Sequence, residues 1–321
     1  MYMLKYVLKR IGLMLLTFMT IMTICFVLIK LLPLPDVKVF GQDAGIIERR
    51  REALGYGKPI LEQFFIFLKS VVIHGDWGVG ENIYTGQDVW QIFVQKLPST
   101  MLVNVYSMLL SVPIGLGFGI YAALKKNKWQ DHFISTGVMI FVSVPSYVYA
   151  FLVQYIFCFK LQWFDFIMAP CETFADYLSW ETFLSLIPAV LSLSFGTIAG
   201  FTRYTRAELT EVLTSDFMLL ARTKGLTKGQ ATLRHALRNA MVPIFPMIIG
   251  QFIGILSGSL IIESIFSIPG VGGLYINSIN AQDYNFFMLL SAFYTFIGLA
   301  ANIFVDISYG IIDPRIRMGA R

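Results

Sequence analysis

LPSTMLVNVYSMLLSVPIGLGFGIYAAL, residues 97–124, contains no Asp, Glu, Lys, Arg or His. An α-helix rises about 1.5 Å per residue, so this run is longer than the roughly 30 Å hydrocarbon core of a bilayer. Its apolar residues are continuous rather than alternating, which selects a helix over a barrel strand. Five further clear charge-free runs accompany it, at 11–29, 133–159, 182–202, 239–262 and 284–305. Composition agrees. The 321 residues are 56% hydrophobic and 14% charged, and the mean hydropathy is +0.67. An average soluble domain carries about 25% charge. So little charge cannot cover a soluble surface of this size, and the bilayer must be most of the solvent. A disordered chain, a secreted disulfide scaffold and a nucleic-acid-binding domain are excluded as whole-chain readings. The reading is an all-α polytopic membrane protein with six transmembrane helices, one transmembrane domain over residues 1–321.

The run at 11–29 has a basic lead, Lys5, Lys9 and Arg10, as a signal peptide does. It is too long for a signal-peptide apolar region, and Lys30-Leu31-Leu32-Pro33 follows instead of a small-residue cleavage site. It reads as a retained helix. The net charge of +5 marks cytoplasmic loops in such a protein rather than nucleic-acid binding. Basic residues concentrate in alternate segments: the N-terminus, Lys125, Lys126 and Lys128, then seven between Arg203 and Arg238, then Arg315, Arg317 and Arg321. The short loops of the opposite side carry only Lys160. Both termini are therefore predicted to be cytoplasmic. Residues 30–96 form a long external segment, read as a small subdomain. In it Leu61, Phe64, Phe65, Leu68 and Val72 recur at helical spacing, as in an interfacial or packed helix. Arg49-Arg50-Arg51 reads as a solvated helix face, and Gly75-Asp76-Trp77-Gly78 as a turn with an aromatic at interface depth. Cys25 and Cys158 fall inside apolar runs and Cys171 in a loop, too few cysteines for a disulfide framework.

Several chemistries are missing from the runs. Every Asp, Glu and His lies outside them. An ion-coupled carrier places ionisable groups in the membrane, a channel carries filter or voltage-sensor signatures, and an intramembrane enzyme needs a base at depth. No phosphate loop of the Gly-x-x-x-x-Gly-Lys-Ser/Thr type occurs either, since Gly55-Tyr56-Gly57-Lys58 leads into Pro59. The chain is expected not to be catalytic by itself. Uphill transport would need a partner's energy.

The segment 203–238 is the most informative. Asp216 can cap a helix running through Lys224, and Gly225 suits the C′ position, where φ is often positive. Thr227-Lys228-Gly229-Gln230 is a capping-box pattern opening a second helix that feeds the fifth run. A helix–turn–helix at the membrane surface either docks in a partner's groove or only sets topology through its charge.

These residues also carry a resemblance. Ala221-Arg222-Thr223-Lys224-Gly225-Leu226, then Leu233-Arg234-His235-Ala236-Leu237-Arg238-Asn239-Ala240 and Pro243, resembles the coupling motif of ABC-importer permeases. The variant is that of the oligopeptide/dipeptide/nickel branch. Glu263-Ser264-Ile265-Phe266-Ser267-Ile268-Pro269-Gly270-Val271-Gly272-Gly273-Leu274 resembles that branch's external Pro-Gly-x-Gly segment. Leu54-Gly55-Tyr56-Gly57-Lys58-Pro59 and Gly75-Asp76-Trp77-Gly78 are similar to the external subdomain of its B-type subunit, and Asp313-Pro314-Arg315-Ile316-Arg317 to its tail. One departure stands out. The Glu-Ala-Ala of the wider motif reads Leu219-Leu220-Ala221 here, so no single glutamate contact is carried over.

The resemblance implies the type I ABC importer fold and a multi-pass protein of the bacterial cytoplasmic membrane. It implies four kinds of partner: membrane lipid, a second homologous permease, two cytoplasmic ABC ATPases holding ATP and Mg²⁺, and an external substrate-binding protein. No cofactor or metal is implied in this chain. The cargo implied is oligopeptide or dipeptide, with nickel or another small solute as the alternative; an ion-coupled carrier or channel is the alternative class. The coupling residues implied are Ala221, Arg222, Lys224, Gly225, Arg234, His235 and Arg238. Gly250, Gly254 and Gly258 recur at i, i+4 and i+8, and with Gln154, Gln251 and Ser257 they either line a translocation path or serve helix packing. Gly115-Leu116-Gly117-Phe118-Gly119 lies inside an apolar run and reads as packing rather than nucleotide binding.

Overall fold

In the computed structural model, residues 2–32, 45, 49, 51–52 and 55–312 are described, the helix ends 2–6 and 311–312 by their backbone alone. Leu54, Arg50 and the tail motif 313–317 lie outside the described residues. In chain order the principal helices are α1 (Tyr2–Lys30), α2 (Ile60–Lys69), α3 (Val89–Leu124), α4 (Trp129–Ser143), α5 (Ser146–Val153), α6 (Phe174–Tyr177) and α7 (Trp180–Leu213). They continue with α8 (Asp216–Thr223), α9 (Lys228–Ala231), α10 (Leu237–Gly254), α11 (Leu260–Ile265), α12 (Val271–Asn280) and α13 (Tyr284–Ile312). Among the described residues no strand forms, and two isolated bridges, Val79 with Asp88 and Gly80 with Thr85, are the only β-type pairings.

Among the described residues, five helical stretches are long and apolar enough to cross a membrane: Val7–Lys30, Val89–Leu124, Trp180–Leu213, Lys228–Gly254 and Tyr284–Gly310. The sixth expected span differs. The run 133–159 was expected as one helix, but two helical pieces, Trp129–Ser143 and Ser146–Lys160, meet there at 101°. Pro145 is the cause. It offers no N–H to the ladder, and it drives Val144 out of the helical region to φ −84°, ψ 127°. The bent pair completes six spans if it crosses as one.

Two other boundaries move. The fourth run was expected to end at residue 202, yet α7 continues unbroken to Leu213. The charge at Arg203 marks where the sequence turns polar, not where the helix stops. The fifth run was expected to be helical to residue 262. Instead α10 ends at Gly254, and Gly258 takes a left-handed φ of +63° before α11.

The chain divides into two compact units. The first holds residues 1–101, 256–264 and 268–300. Met22, Phe26 and Ile29 of α1 pack with Phe64 and Phe67 of α2 and with Tyr284, Met288 and Ala292 of α13. Val89, Ile92 and Phe93 pack with Val271 and Leu274 of α12 and with Phe286, Leu289 and Leu290. Trp77 stands edge-on to Phe67 with ring centres 6.1 Å apart, so this aromatic serves the core.

Buried carboxylates hold the loops of this unit. Asp283 accepts the backbone N–H groups of Glu81 (2.7 Å), Asn82 (2.8 Å) and Ile83 (3.0 Å). Burial pushes its carboxyl up from the ordinary value, and the three N–H groups pull it back. Glu81 is itself buried, accepts from the Tyr56 hydroxyl at 3.1 Å and pairs with Arg51. Arg51 is therefore not on a solvated face as expected. A buried carboxylate without a cation costs several kcal/mol, and the guanidinium supplies it. Glu263 accepts from Thr100 Oγ1 (3.0 Å) and from the N–H of Gly272 (2.8 Å), while Thr100 Oγ1 accepts from Val271 N (2.8 Å).

The second unit holds residues 102–255, 265–267 and 301–321, described to 312. Here the C-terminal half of α3 lies close against α7, as the Gly115–Gly119 stretch predicts. A Cβ at Gly119 would sit 2.9 Å from the carbonyl oxygen of Thr202 and press into the Thr205 side chain. Thr202 Oγ1 donates to the Gly115 carbonyl at 3.2 Å. Phe141 of α4 stacks on Phe195 of α7 at 4.9 Å. Asp131, 1% exposed, accepts Arg206 Nη2 at 2.8 Å and the Asn127 N–H at 2.9 Å. From α9 the chain winds through a π-turn, Thr232–Ala236, directly into α10.

Gly119→Val should force α3 and α7 apart. The expected cost is about 1–3 kcal/mol, as for other overpacked contacts. Thermal unfolding in detergent should show a lower midpoint, whereas Gly117→Val, where a Cβ meets nothing within 4 Å, should leave it nearly unchanged.

Candidate functional site

The site is the two-helix segment that follows α7. Helix α8 begins at Asp216, with Ser215 in the N-cap position. Asp216 is thus the first helical residue rather than the cap. Its carboxylate still stands in the first turn, where the helix dipole favours negative charge. The helix stops at Thr223, Lys224 is the C-cap, and Gly225 follows with φ +91°. A side chain there would meet nothing within 4 Å. The need for glycine is therefore conformational, not steric, because L-residues rarely adopt that φ. Gly225 N donates to the Arg222 carbonyl at 3.0 Å and closes the turn.

The capping box read from the sequence is formed. Gln230 N donates to Thr227 Oγ1 at 3.3 Å, and Thr227 N donates to Gln230 Oε1 at 3.1 Å. Together these bonds satisfy two otherwise orphaned donors and start the helix that feeds α10.

A cluster of small and flexible apolar residues seats the segment on the span ends. Met218 and Ala221 of α8 join Ala231, Ala236 and Ala240 of the second helix against Ala123 of α3 and Leu209 of α7. Alanine at five of these positions lets the backbones approach closely. His235 is half-buried and stands edge-on to Phe217, with ring centres 5.7 Å apart. This contact ties the second helix back to the first.

The expected coupling residues separate into two groups. Arg222, Lys224, Gly225, Arg234 and Arg238 are exposed. Ala221 is buried and anchors the segment, and His235 orients it. Reasoning from the sequence missed the exposed leucines. Leu219 is 62% exposed, Leu220 53% and Leu233 70%. The departure at Leu219-Leu220 was the available signal: two leucines stand where the wider motif has polar and small residues. Uncovered apolar area of this kind beside cations is what a partner's groove would bury.

The second candidate set does not assemble. Gly250 lies on α10 against Val305, with 3.4 Å between a built Cβ and Cγ2. Gly254 ends the helix and faces open space, and Gly258 lies off the helix altogether. The expected i, i+4, i+8 stripe is therefore not a single surface. Gln251 and Ser257 are half-buried. Gln154 Nε2 donates to the carbonyl of Ile265 at 2.7 Å, so this amide satisfies backbone.

With this geometry in hand, two family matches cover nearly the whole chain. Residues 115–318 match the binding-protein-dependent transport system inner membrane component, and residues 3–104 match that system's N-terminal membrane component. The chain belongs to this ABC-importer permease family. It is similar to the dipeptide transport system permease protein DppB of Lactococcus lactis, 34% identical over 98% of this chain and all of the relative. It is 30% identical to DppB of Bacillus subtilis, covering 98% of each. The glutathione transport system permease protein GsiC of Escherichia coli is 30% identical over 98% of this chain and 99% of its own length. The protein is thus a multi-pass inner-membrane permease subunit of an ABC importer.

Thr227→Ala removes one arm of the capping box. The expected local loss is about 1 kcal/mol. Hydrogen exchange should read it as roughly fivefold faster exchange at the amides of Lys228–Ala231, with the interior of α7 unaffected.

Proposed function

We propose that this permease forms half of a translocation path for short peptides, and that α8 with Gly225 is the lever by which a cytoplasmic ATPase drives it. The observation that carries the coupling reading is the exposure of Leu219 and Leu220 on the helix that carries Arg222 and leads into Lys224, and of Leu233 next to Arg234 in the following turn, on a segment seated on the span ends. An apolar patch rimmed by cations suits a groove with acidic edges. The seating makes the segment move with α3 and α7 rather than independently of them.

The remaining partners follow from the family. A second permease completes the path, two ATPases hold ATP and Mg²⁺, and an external binding protein delivers cargo. The cargo reading rests on the relatives, whose names give dipeptide and glutathione, both short peptides. We read α8 and both termini as cytoplasmic and residues 30–96 as external, a reading supported by the concentration of basic residues in alternate segments. Cysteines at Lys126 and Gly229 should accordingly be shielded from impermeant reagents in intact cells, and cysteines at Asp76 and Glu172 should react. Labelling of the Lys126 position from outside would overturn this orientation.

Gly225→Val tests the lever. A β-branched residue at φ +91° costs roughly 1–2 kcal/mol or more. Peptide uptake and co-purification of the ATPase should both fall, while membrane insertion stays normal. Gly225→Asn, which tolerates the left-handed region, should retain most activity. If the segment only sets topology through charge, Gly225→Val leaves uptake and co-purification intact, and the coupling role fails.

A further inference from the structure

A cavity of about 590 Å³ opens beside the coupling segment. Lys126 and Lys128 reach it from the loop after α3, Arg222 from the end of α8, and Lys228 from the start of α9. All four are exposed, and among the described residues no carboxylate pairs with any of them. One carboxylate, Asp216, shares the lining, so cations outnumber it four to one. Thr210 also lies in the wall, and its buried Oγ1 has no hydrogen-bond partner among the described residues. Such a lining repels itself unless an anion occupies it.

The rest of the lining says what kind of anion. Leu124 is the last residue of α3 and Leu213 the last of α7, and both helices are candidate spans. The cavity therefore lies at span ends, the depth at which headgroups sit. Leu124 is 47% exposed and Leu213 is half-buried in the same lining, so an apolar margin borders the basic one. A free phosphate would use the cations and leave that margin wet. An amphiphile with an anionic head and an acyl root uses both. Basic pockets between membrane helices near the cytoplasmic face suit anionic lipid headgroups.

We propose that this cavity binds the headgroup of an anionic phospholipid, and that the bound lipid braces α8 against the ends of α3 and α7. Its placement at the cytoplasmic leaflet rests on the orientation given above. The phosphate engages Lys126, Lys128 and Lys228, with Arg222 at the edge shared with the coupling surface. The acyl root lies along Leu124 and Leu213. A lipid held there would make transport depend on the anionic fraction of the membrane.

The test uses the complete transporter, both permeases with both ATPases. Lys126→Gln with Lys128→Gln removes two cations that lie outside the coupling segment. Native mass spectrometry after incubation with phosphatidylglycerol or phosphatidylcholine should show phosphatidylglycerol retained by the parent and lost roughly tenfold or more in the double variant. Lys126→Arg with Lys128→Arg should retain it. In nanodiscs, with the external binding protein added, phosphatidylglycerol should raise peptide-stimulated ATP hydrolysis of the parent and not of the Gln variant. Equal phosphatidylglycerol retention by parent and Gln variant would overturn the proposal. So would loss of ATPase co-purification in the Gln variant, because the cations would then belong to the partner interface. Inorganic phosphate reproducing the stimulation in phosphatidylcholine nanodiscs would replace lipid with a soluble anion and overturn it too. If Gly225→Val left uptake and ATPase co-purification normal while the Gln variant still lost the lipid, the lever would fail and the lipid site would stand.

Discussion

Hydrocarbon offers no partner to a peptide N–H or C=O, and this constraint organises the chain. It turns each apolar run into helix, and it makes every interruption expensive. The interruptions are met individually. Gln154 Nε2 donates to the carbonyl of Ile265, the last residue of α11, which the helix itself leaves without a partner. Thr100 Oγ1 accepts the N–H of Val271 at the start of α12, and the Glu263 carboxylate accepts that of Gly272. Side-chain oxygens and amides thus take the place of the missing turns. At the end of α11 and the start of α12, a polar side chain from elsewhere in the same unit receives the chain where it departs from helix.

The spans were legible because the signal is local and cumulative: about twenty residues without a charge can be little else. The turn at Gly225 and the box at Thr227 were legible for a related reason, since caps are contracts between residues three or four apart. The ends of helices were not. Arg203 and Arg206 looked like the start of a loop, yet a charged residue can continue a helix once it finds water or a partner. Arg206 has Asp131, and α7 carries on for two more turns. The break at Val144–Pro145 was harder still. Proline is common in membrane helices, and nothing local separates a proline that is tolerated from one that bends the chain by 101°.

The polar knots were invisible for a different reason. Asp283 holds the loop at Glu81–Ile83 across some two hundred positions of sequence. Arg51 looked like one of three solvated arginines because its partner, Glu81, lies thirty residues away and is covered by a fold that local patterns do not encode. The candidate site shows the same division. Its frame was readable, but its exposed leucines were not, since exposure belongs to the assembled surface. The glycine repeat at 250, 254 and 258 failed in the opposite direction. A spacing argument assumes a continuous helix, and this one ends at Gly254.

The π-turn at Thr232–Ala236 carries one residue more than an α-helix needs to cover the same rise. Each residue advances a helix by about 100°. A π-turn spends five residues on what an α-turn does with four, so the extra residue is taken up locally and the short helix α9 stays in phase with the membrane stem, α10. Loss of a single residue there would leave every span and every cap pattern readable in the sequence. Relaxation of the π-turn to an ordinary turn would absorb that loss and keep Ala231 against Leu209 and Ala123. In this permease family, relatives that differ by one residue between Thr227 and Pro243 can thus present the same motif at the same angle.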